Sequence, residues 1–369
     1  MGRARGSVPD ALLALVRSQP TGDGVGYVGL LLRRALDEIT GVETRVVALD
    51  ARDIARPSAF ERLRFLARLT NAERRRPKLP VVFNHLGIAR AQPHVPGRWR
   101  APYAVFLHGT EIWDPSIDES RKSAVRQAIV RFSNSRFTAS RVEAIHPDVG
   151  PVVPCPLALR PDAPPPSPID ERAAERILAG RSLAVAMVGR MSAAERYKGH
   201  DEMLDAWPLV RARVPGASLF VIGRGDDLQR LTARARDENL DDSVTYTGFL
   251  PDGVMRALLP RCALLAMPSR GEGFGLAYLE AMRAGLPCIG SAADGARDVI
   301  VDGATGFLVG NDPGETVNRR DLTRALLTLL TDDSLRRRFG ENGKHREATE
   351  FSWPSFRDRL GERLSAACS

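Results

Sequence analysis

The chain has 369 residues, 43% of them apolar and 27% charged, with a formal net charge of +8. That length and apolar share suit two domains of ordinary size, and no apolar run reaches the length of a membrane span. The four cysteines, Cys155, Cys262, Cys288 and Cys368, are scattered without a CxxC pair or metal-ligand spacing, which fits a reducing cytoplasm and argues against a disulfide framework.

The apolar run Ala11 to Val16 is short and lacks a small-residue cleavage site, so it reads as a first buried strand rather than a signal peptide. A glycine-rich loop, Thr21 to Tyr27, carries Asp23, Gly24 and Gly26, and helical spacing follows from Val28 to Ile39. With the strand at Thr44 to Leu49, this order opens a doubly wound α/β domain. A basic helical segment covers about Ser58 to Arg75. Pro80 to His85 and Tyr103 to His108 are further strands, each ending in histidine. Ligands in such sheets sit beyond the carboxyl ends of strands, which singles out His85 and His108 by position. Val130 to Ser133 is a short strand running into a Ser/Thr-rich helix start at 134–140.

Arginine is dense in this half: Arg62, Arg64 and Arg68, then Arg74, Arg75 and Arg76 with Lys78. Three readings are open: a solvated surface, a patch facing anionic membrane or a lipid-diphosphate acceptor, and a nucleic-acid face. The last lacks any recognition signature and the aromatic interleaving of single-strand binders.

Eight prolines between Pro151 and Pro168 read as an interdomain linker, because each removes a donor and fixes φ. The expected division is a first domain over 1–158, a linker over 159–181, a second domain over 182–350 and a final helix over 351–369. In the second domain strands are expected at Leu183 to Val188, Ala217 to Ile222, Val244 to Tyr246, Cys262 to Met267 and Pro287 to Gly290. Helices fall at His200 to Val210, Leu228 to Glu238, Met255 to Leu259 and Leu322 to Leu330. A turn-rich piece holds Gly303 and Gly306, and a charged tail follows the last of these helices.

Four pieces make compatible chemical demands. In Pro268 to Met282, a strand end, three glycines and a helix start make an anion site, because orphan N–H groups and the helix dipole point into the turn. Glu272 on the loop and Glu280 on the helix bracket it. A carboxylate on the small-residue stripe with Ala277, Ala281 and Ala284 is costly unless hydrogen-bonded, and the vicinal hydroxyls of a ribose would satisfy Glu280. The rival explanation pairs Glu280 with Arg283 or a linker arginine. The second piece, Val188 to Gly199, holds Arg190 at a strand end and Lys198 before a helix, placed to offset charge growing on a leaving diphosphate. The third is His108 with Gly109 behind it, for a sugar hydroxyl or as a satisfied structural histidine. The fourth is the Gly24–Gly26 loop, where backbone can approach a ligand closely. No Ser-His-Asp order, HExxH or strand-end DxD stands out. Asp226-Asp227 and Asp241-Asp242 read as caps or solvated turns.

These residues resemble a known family. The runs Gly-Arg-Met-Ser at 189–192, Glu-Arg-Tyr-Lys-Gly-His at 195–200, Val-Ile-Gly-Arg-Gly-Asp-Asp at 221–227, Met-Pro-Ser-Arg-Gly-Glu-Gly-Phe-Gly at 267–275 and Glu-Ala-Met at 280–282 look like the retaining GT-B glycosyltransferases of the group 1 type. That family includes bacterial mannosyltransferases and sucrose-phosphate synthases. The resemblance implies an α/β fold of two Rossmann-like doubly wound domains facing across a cleft, no metal, no cofactor beyond the nucleotide-diphosphate sugar donor, and a helix crossing back from 351 onward. By position, Arg190 and Lys198 would hold the diphosphate, Glu280 the ribose, and backbone near Phe249 the base. Glu272 with the N–H groups of Phe274, Gly275 and Leu276 would hold sugar and phosphate, His108 would contact the sugar, and Gly24 and Gly26 would lie at the phosphate or acceptor. Asp23 departs from the glycine pair usual in that loop.

The resemblance therefore implies hexose transfer, mannose first, from a GDP- or UDP-hexose to a glycan, glycolipid or small-aglycone acceptor. It would act in the cytoplasm, at the inner membrane face if the basic first domain serves that purpose, and without nucleic acid as a partner. A sugar-nucleotide epimerase, a phosphorylase, a catalytically silent sugar-nucleotide sensor and a membrane-surface module are the rivals.

Overall fold

The computed structural model describes residues 10–19, 24–53, 56–310 and 318–368. The chain forms two compact units, Met1–Ala158 with Trp353–Ser369, and Leu159–Ser352. In the first unit the elements run β1 (Leu12–Leu15), α1 (Gly24–Thr40), β2 (Arg45–Ala48), α2 (Ala59–Arg75), β3 (Val81–Phe83), α3 (Leu86–Ala89), β4 (Tyr103–Leu107), α4 (Glu119–Arg126), β5 (Val130–Ser133), α5 (Arg136–Ile145) and β6 (Val153–Pro154). The strands pair in the order β2-β1-β3-β4-β5-β6, and the pairs are parallel. The second unit runs α6 (Pro168–Leu178), β7 (Leu183–Val188), α7 (His200–Arg213), β8 (Ala217–Ile222), α8 (Leu228–Asp237), β9 (Val244–Gly248), α9 (Asp252–Leu258), β10 (Leu264–Met267), α10 (Leu276–Arg283), β11 (Cys288–Ser291), α11 (Ala296–Val299), β12 (Gly306–Val309), α12 (Arg319–Thr331) and α13 (Asp333–Glu350). A final helix, α14 (Trp353–Cys368), belongs to the first unit.

The inner strands are continuous apolar runs because helices cover both faces of a parallel sheet. β4, β8 and β10 are buried along their whole lengths. The second sheet is ordered β12-β11-β10-β7-β8-β9. Counted within that unit this is the 3-2-1-4-5-6 order of a dinucleotide-binding sheet, with the reversal between β7 and β10.

Four expectations need correction. Gly24 and Gly26, read as loop, lie in the first turn of α1, where backbone N–H groups lack intrahelical partners and glycine is tolerated; Asp23 lies outside the described residues. The span 159–181, read as linker, contains α6, which starts with Pro168 in its first turn and a capping box at Ser167 and Asp170. The Gly303–Gly306 piece contains strand β12. A Cβ on Gly306 would stand 1.8 Å from the Cys288 carbonyl oxygen, so glycine there serves close strand approach rather than a turn. The charged tail contains α13, capped by Asp332, in which a Cβ on Gly340 would stand 1.9 Å from the Gly285 carbonyl oxygen.

Helix α14 is fastened to α1. The Trp353 indole N–H donates to Glu38 (2.9 Å), the Arg34 guanidinium lies 5.1 Å from the ring centroid, and Arg357 reaches the same carboxylate. Trp353→Ala should cost about 3–5 kcal/mol, as buried aromatic truncations do. Scanning calorimetry should show the first unit melting roughly 10 °C lower with the second unit unmoved; an unchanged melt would show that α14 is not anchored there.

Candidate functional site

The expected donor residues of the second unit come from loops at the carboxyl edge of its sheet, on both sides of the β7/β10 reversal. β7 ends at Val188, and the next residues are tied to the neighbouring strand's loop: Gly189 N–H donates to Ile222 O (2.9 Å) and Met191 N–H to Arg224 O (3.1 Å). Arg190 leaves that edge with a largely exposed side chain, paired with Glu195 at 2.6 Å. Lys198 ends a 3-10 stretch, Ala193–Lys198, just before α7. Its ammonium meets Glu272 at 2.5 Å, and both side chains are mostly withdrawn from water, 17% and 12% exposed. Burial alone would lower the Lys198 pKa, but the charge of Glu272, with Tyr197 and Glu195 behind it, outweighs burial and raises it.

Glu272 is held from below by a residue the sequence reading missed. Asp294 follows β11, and its carboxylate accepts from the Glu272 N–H (3.0 Å) and the Ala296 N–H (2.9 Å), while Gly295 N–H donates to Glu272 O (2.8 Å). Asp294 is fully buried. Burial, then the like charge of Glu272, pushes its pKa up to about 7. Its only signal was an acid just past a strand, inside a stretch read as turn-rich.

Phe274, Gly275 and Leu276 divide by chemistry. The Phe274 ring is core, 5.7 Å from Phe351. Gly275 has φ +90, a left-handed value that favours glycine, and precedes α10 with no side-chain cap. What these three offer a ligand is therefore backbone N–H at an uncapped helix start.

Glu280 lies on α10. Arg283, its rival partner, is engaged elsewhere: it donates to Arg160 O (3.0 Å) and pairs with Glu347 (2.6 Å). Among the described residues no hydrogen bond holds the Glu280 carboxyl. Burial, with Asp252 adding like charge against Arg256 and Arg283, pushes its pKa up to about 7. Phe249 is exposed just past β9, and the Arg224 guanidinium lies 4.6 Å from its ring centroid. Arg224 was also missed. His200, next to Lys198, is buried with Nε2 unpartnered among the described residues, and burial takes its pKa down to about 4.

In the first unit, His108 follows β4. Its Nε2 meets Asn84 O at 2.7 Å. A carbonyl only accepts, so Nε2 carries the proton. The His108 backbone N–H donates to Glu111 (2.6 Å), whose pKa is lowered because His85 and His108 outweigh its burial. His85, whose Nδ1 accepts from Gly87 N–H, lies stacked 5.6 Å from His108. Asn84 ties three segments together: Val16 N–H donates to its Oδ1 (3.0 Å), and its Nδ2 donates to Val25 O (3.2 Å), beside Gly24 and Gly26.

A doubly wound sheet with cations and an uncapped helix start at its reversal is a nucleotide-binding domain in class. Residues 171–346 match the family model described as "Glycosyl transferases group 1". The second unit is thus similar to the group 1 glycosyltransferases, and the two sheets have the GT-B fold. It is 31% identical over 175 residues to a GDP-mannose-dependent alpha-(1-6)-phosphatidylinositol monomannoside mannosyltransferase of Mycolicibacterium smegmatis, covering 46% of this chain and 44% of that one. It is 33% identical over 211 residues to a D-inositol 3-phosphate glycosyltransferase of Corynebacterium kroppenstedtii, covering 53% and 44%. The matches thus span less than half the length of these curated relatives. A sucrose-phosphate synthase from Thermosynechococcus elongatus superimposes with a TM-score of 0.77 at 21% identity, over 96% of this chain and 98% of that one. Anabaena HepE, crystallised with UDP and glucose, gives 0.75 at 18%, over 97% and 100%.

The Glu280 carboxyl has a clear stability sign. Its folded pKa, about 7, lies above the ordinary 4.5. Between those values the native state binds more protons than the unfolded one, so this group's contribution falls as pH rises. Glu280→Gln should therefore raise the melting temperature of the second unit at pH 8, by an amount reflecting at most about 3 kcal/mol, and leave it nearly unchanged at pH 4. Equal melts at pH 8 would show that the carboxyl costs nothing.

Proposed function

We propose that the protein is a retaining hexosyltransferase that moves a sugar, mannose first, from a GDP- or UDP-hexose to an acceptor hydroxyl in polysaccharide or glycolipid assembly, without a metal. The observation that carries this reading is Glu280: a half-buried acid with no hydrogen-bonding partner among the described residues, on a helix whose start has no side-chain cap. A ribose supplies its hydroxyl donors and a diphosphate suits the free N–H groups. The mannose preference leans on the relatives named as GDP-mannose-dependent enzymes. A small-aglycone acceptor is the second version of the same reaction. A location in the cytoplasm, beside the membrane that carries the acceptor, belongs to the same reading.

In this reading Arg190 and Lys198 offset the charge that grows on the leaving diphosphate. An ammonium has three donors, so Lys198 keeps Glu272 while reaching a phosphate oxygen. Glu272 and the N–H groups of Phe274 to Leu276 hold sugar and phosphate, and backbone at Phe249, with Arg224 beside it, takes the base. His108, and the backbone at Gly24 and Gly26, are assigned to the sugar and phosphate or acceptor sides on the resemblance alone. The acceptor oxygen attacks the anomeric carbon from the face the phosphate leaves. The carbon–phosphate oxygen bond breaks, the new glycosidic bond forms, and the acceptor's proton passes to the departing phosphate oxygen, so configuration is kept.

A panel of nucleotide sugars, with and without acceptors and with EDTA throughout, tests this by nucleotide diphosphate release. Release that depends on acceptor is expected; binding without release would favour a sensor. Glu272→Ala, or Arg190→Ala with Lys198→Ala, should lower turnover at least a hundredfold while the melting temperature stays within a few degrees. Wild-type turnover in either sinks the assignment, and an inverted anomeric centre in the product sinks retention.

Ribose hydroxyls stabilise the ionised form of Glu280. Nucleotide affinity of the wild type should therefore gain on that of Glu280→Gln as pH rises from 6 to 8. Parallel profiles by calorimetric titration would place the ribose elsewhere.

A further inference from the structure

Helix α2 has two faces of different kinds. Phe65, Leu69 and Glu73, four residues apart, are its buried stripe. On the opposite side Phe60 is 72% exposed and Leu63 is 65% exposed. Single exposed apolar residues are ordinary, but these two share a face, one turn apart. Arg64 and Arg75 follow on that same side, and neither has a carboxylate partner among the described residues.

The helix carries five arginines and two acids, and both acids are used inward. Glu61 closes the capping box with Ser58, and its carboxylate also takes the Arg52 N–H. Glu73 is buried, accepting from Ala101 N–H (2.7 Å) and Gln92 (3.2 Å). The outward face therefore holds apolar and cationic groups and no carboxylate. A solvated arginine surface explains the cations but not Phe60 and Leu63. At the far end, Trp99 lies with the guanidinium of Arg98 at 4.0 Å and of Arg74 at 6.0 Å from its ring centroid. An amphipathic ring among arginines suits the headgroup level of a bilayer. An open groove of about 870 Å³ runs along edge strand β2, where Arg33, Arg45, Arg68, Arg75 and Arg76 outnumber Glu43, Asp50 and the core-facing Glu73. Guanidinium groups match phosphate oxygens in pairs.

We infer that the outward face of α2, with Trp99 and the β2 groove, docks the first unit onto an anionic phospholipid bilayer. Phe60 and Leu63 enter the interface, and the arginines meet lipid phosphates. This extends the glycolipid part of the proposed function, but it rests on residues of the first unit and is read without donor or acceptor.

Sedimentation with vesicles tests it. The full chain should partition onto phosphatidylglycerol–phosphatidylcholine vesicles at least tenfold more than onto pure phosphatidylcholine. Raising the salt from 0.1 to 0.5 M should reduce that binding. Phe60→Ser with Leu63→Ser, and separately Arg64→Glu with Arg75→Glu, should each lower partitioning at least tenfold with unchanged melting temperature, because all four side chains are exposed. Equal binding to both vesicle types, or wild-type binding by either variant, overturns the inference. Duplex RNA binding in the absence of vesicle binding also overturns it, in favour of a nucleic-acid face. Nucleotide release with a soluble acceptor is followed in the same samples. Lost vesicle binding with intact release overturns only the docking; intact vesicle binding with no release from any donor overturns only the transferase reading.

Discussion

The donor half of the molecule depends on one ionic cluster: Lys198 on Glu272 at 2.5 Å, with Asp294 clasping the Glu272 backbone from beneath. Two acids share one ammonium in a region largely closed to water. At that depth a second carboxylate charge is expensive, and Asp294 responds with a pKa near neutrality. The cluster is thus close to electrically balanced when Asp294 holds a proton. Added negative charge nearby, such as a diphosphate, favours that protonated form, whereas hydroxyl donors at Glu280 favour ionisation. In the proposed reading the two raised acids of the same unit would answer a sugar nucleotide in opposite directions.

The same cluster explains how a glycine-rich loop can be both permissive and placed. Gly271 and Gly275 let Tyr197 and Tyr278 pack against the loop, where a Cβ would stand 2.9 and 2.4 Å from their rings, and glycines by themselves would leave the loop loose. The loop is instead fixed at Glu272 through three contacts: its side chain to Lys198, its N–H to Asp294, and its carbonyl to Gly295 N–H. The anchors come from two loops of the sheet's carboxyl edge, Lys198 after β7 and Asp294 with Gly295 after β11, so the loop's position is set by the strand order. A catalytic or binding group held that way needs little reorganisation when charge moves.

Much of this was legible in the sequence because the signals were local. Apolar runs gave the inner strands, the order of strands and helices gave doubly wound domains, and places at strand ends, loops and helix starts singled out Arg190, Lys198, Glu272 and Glu280. What was hidden depended on partners distant in the chain. Gly306 read as a turn residue because its reason, a carbonyl oxygen under 2 Å from where a Cβ would stand, belongs to Cys288. Asp294 carried no signal of its role in the sequence, because its partner Glu272 lies 22 residues away in the chain. His108 was singled out by position, but its bond to Asn84 O could be seen only once β3 and β4 were side by side.

Arginine illustrates why a composition cannot be read one residue type at a time. In the second unit Arg230 binds Asp201 and Asp227, and Arg234 binds Asp201, Asp205 and Glu238, a network that joins α7 to α8. Those cations are satisfied within the fold, and their charge is largely neutralised at short range. On α2 the acids that might do the same are turned to the helix cap and the core, leaving Arg64 beside exposed Phe60 and Leu63 and Arg75 at the far end of the same side. The net charge of +8 is therefore not spread evenly in effect. Where arginines meet carboxylates they hold helices together, and where they meet none they create a field felt over a Debye length, with exposed apolar side chains to turn that attraction into a fixed contact.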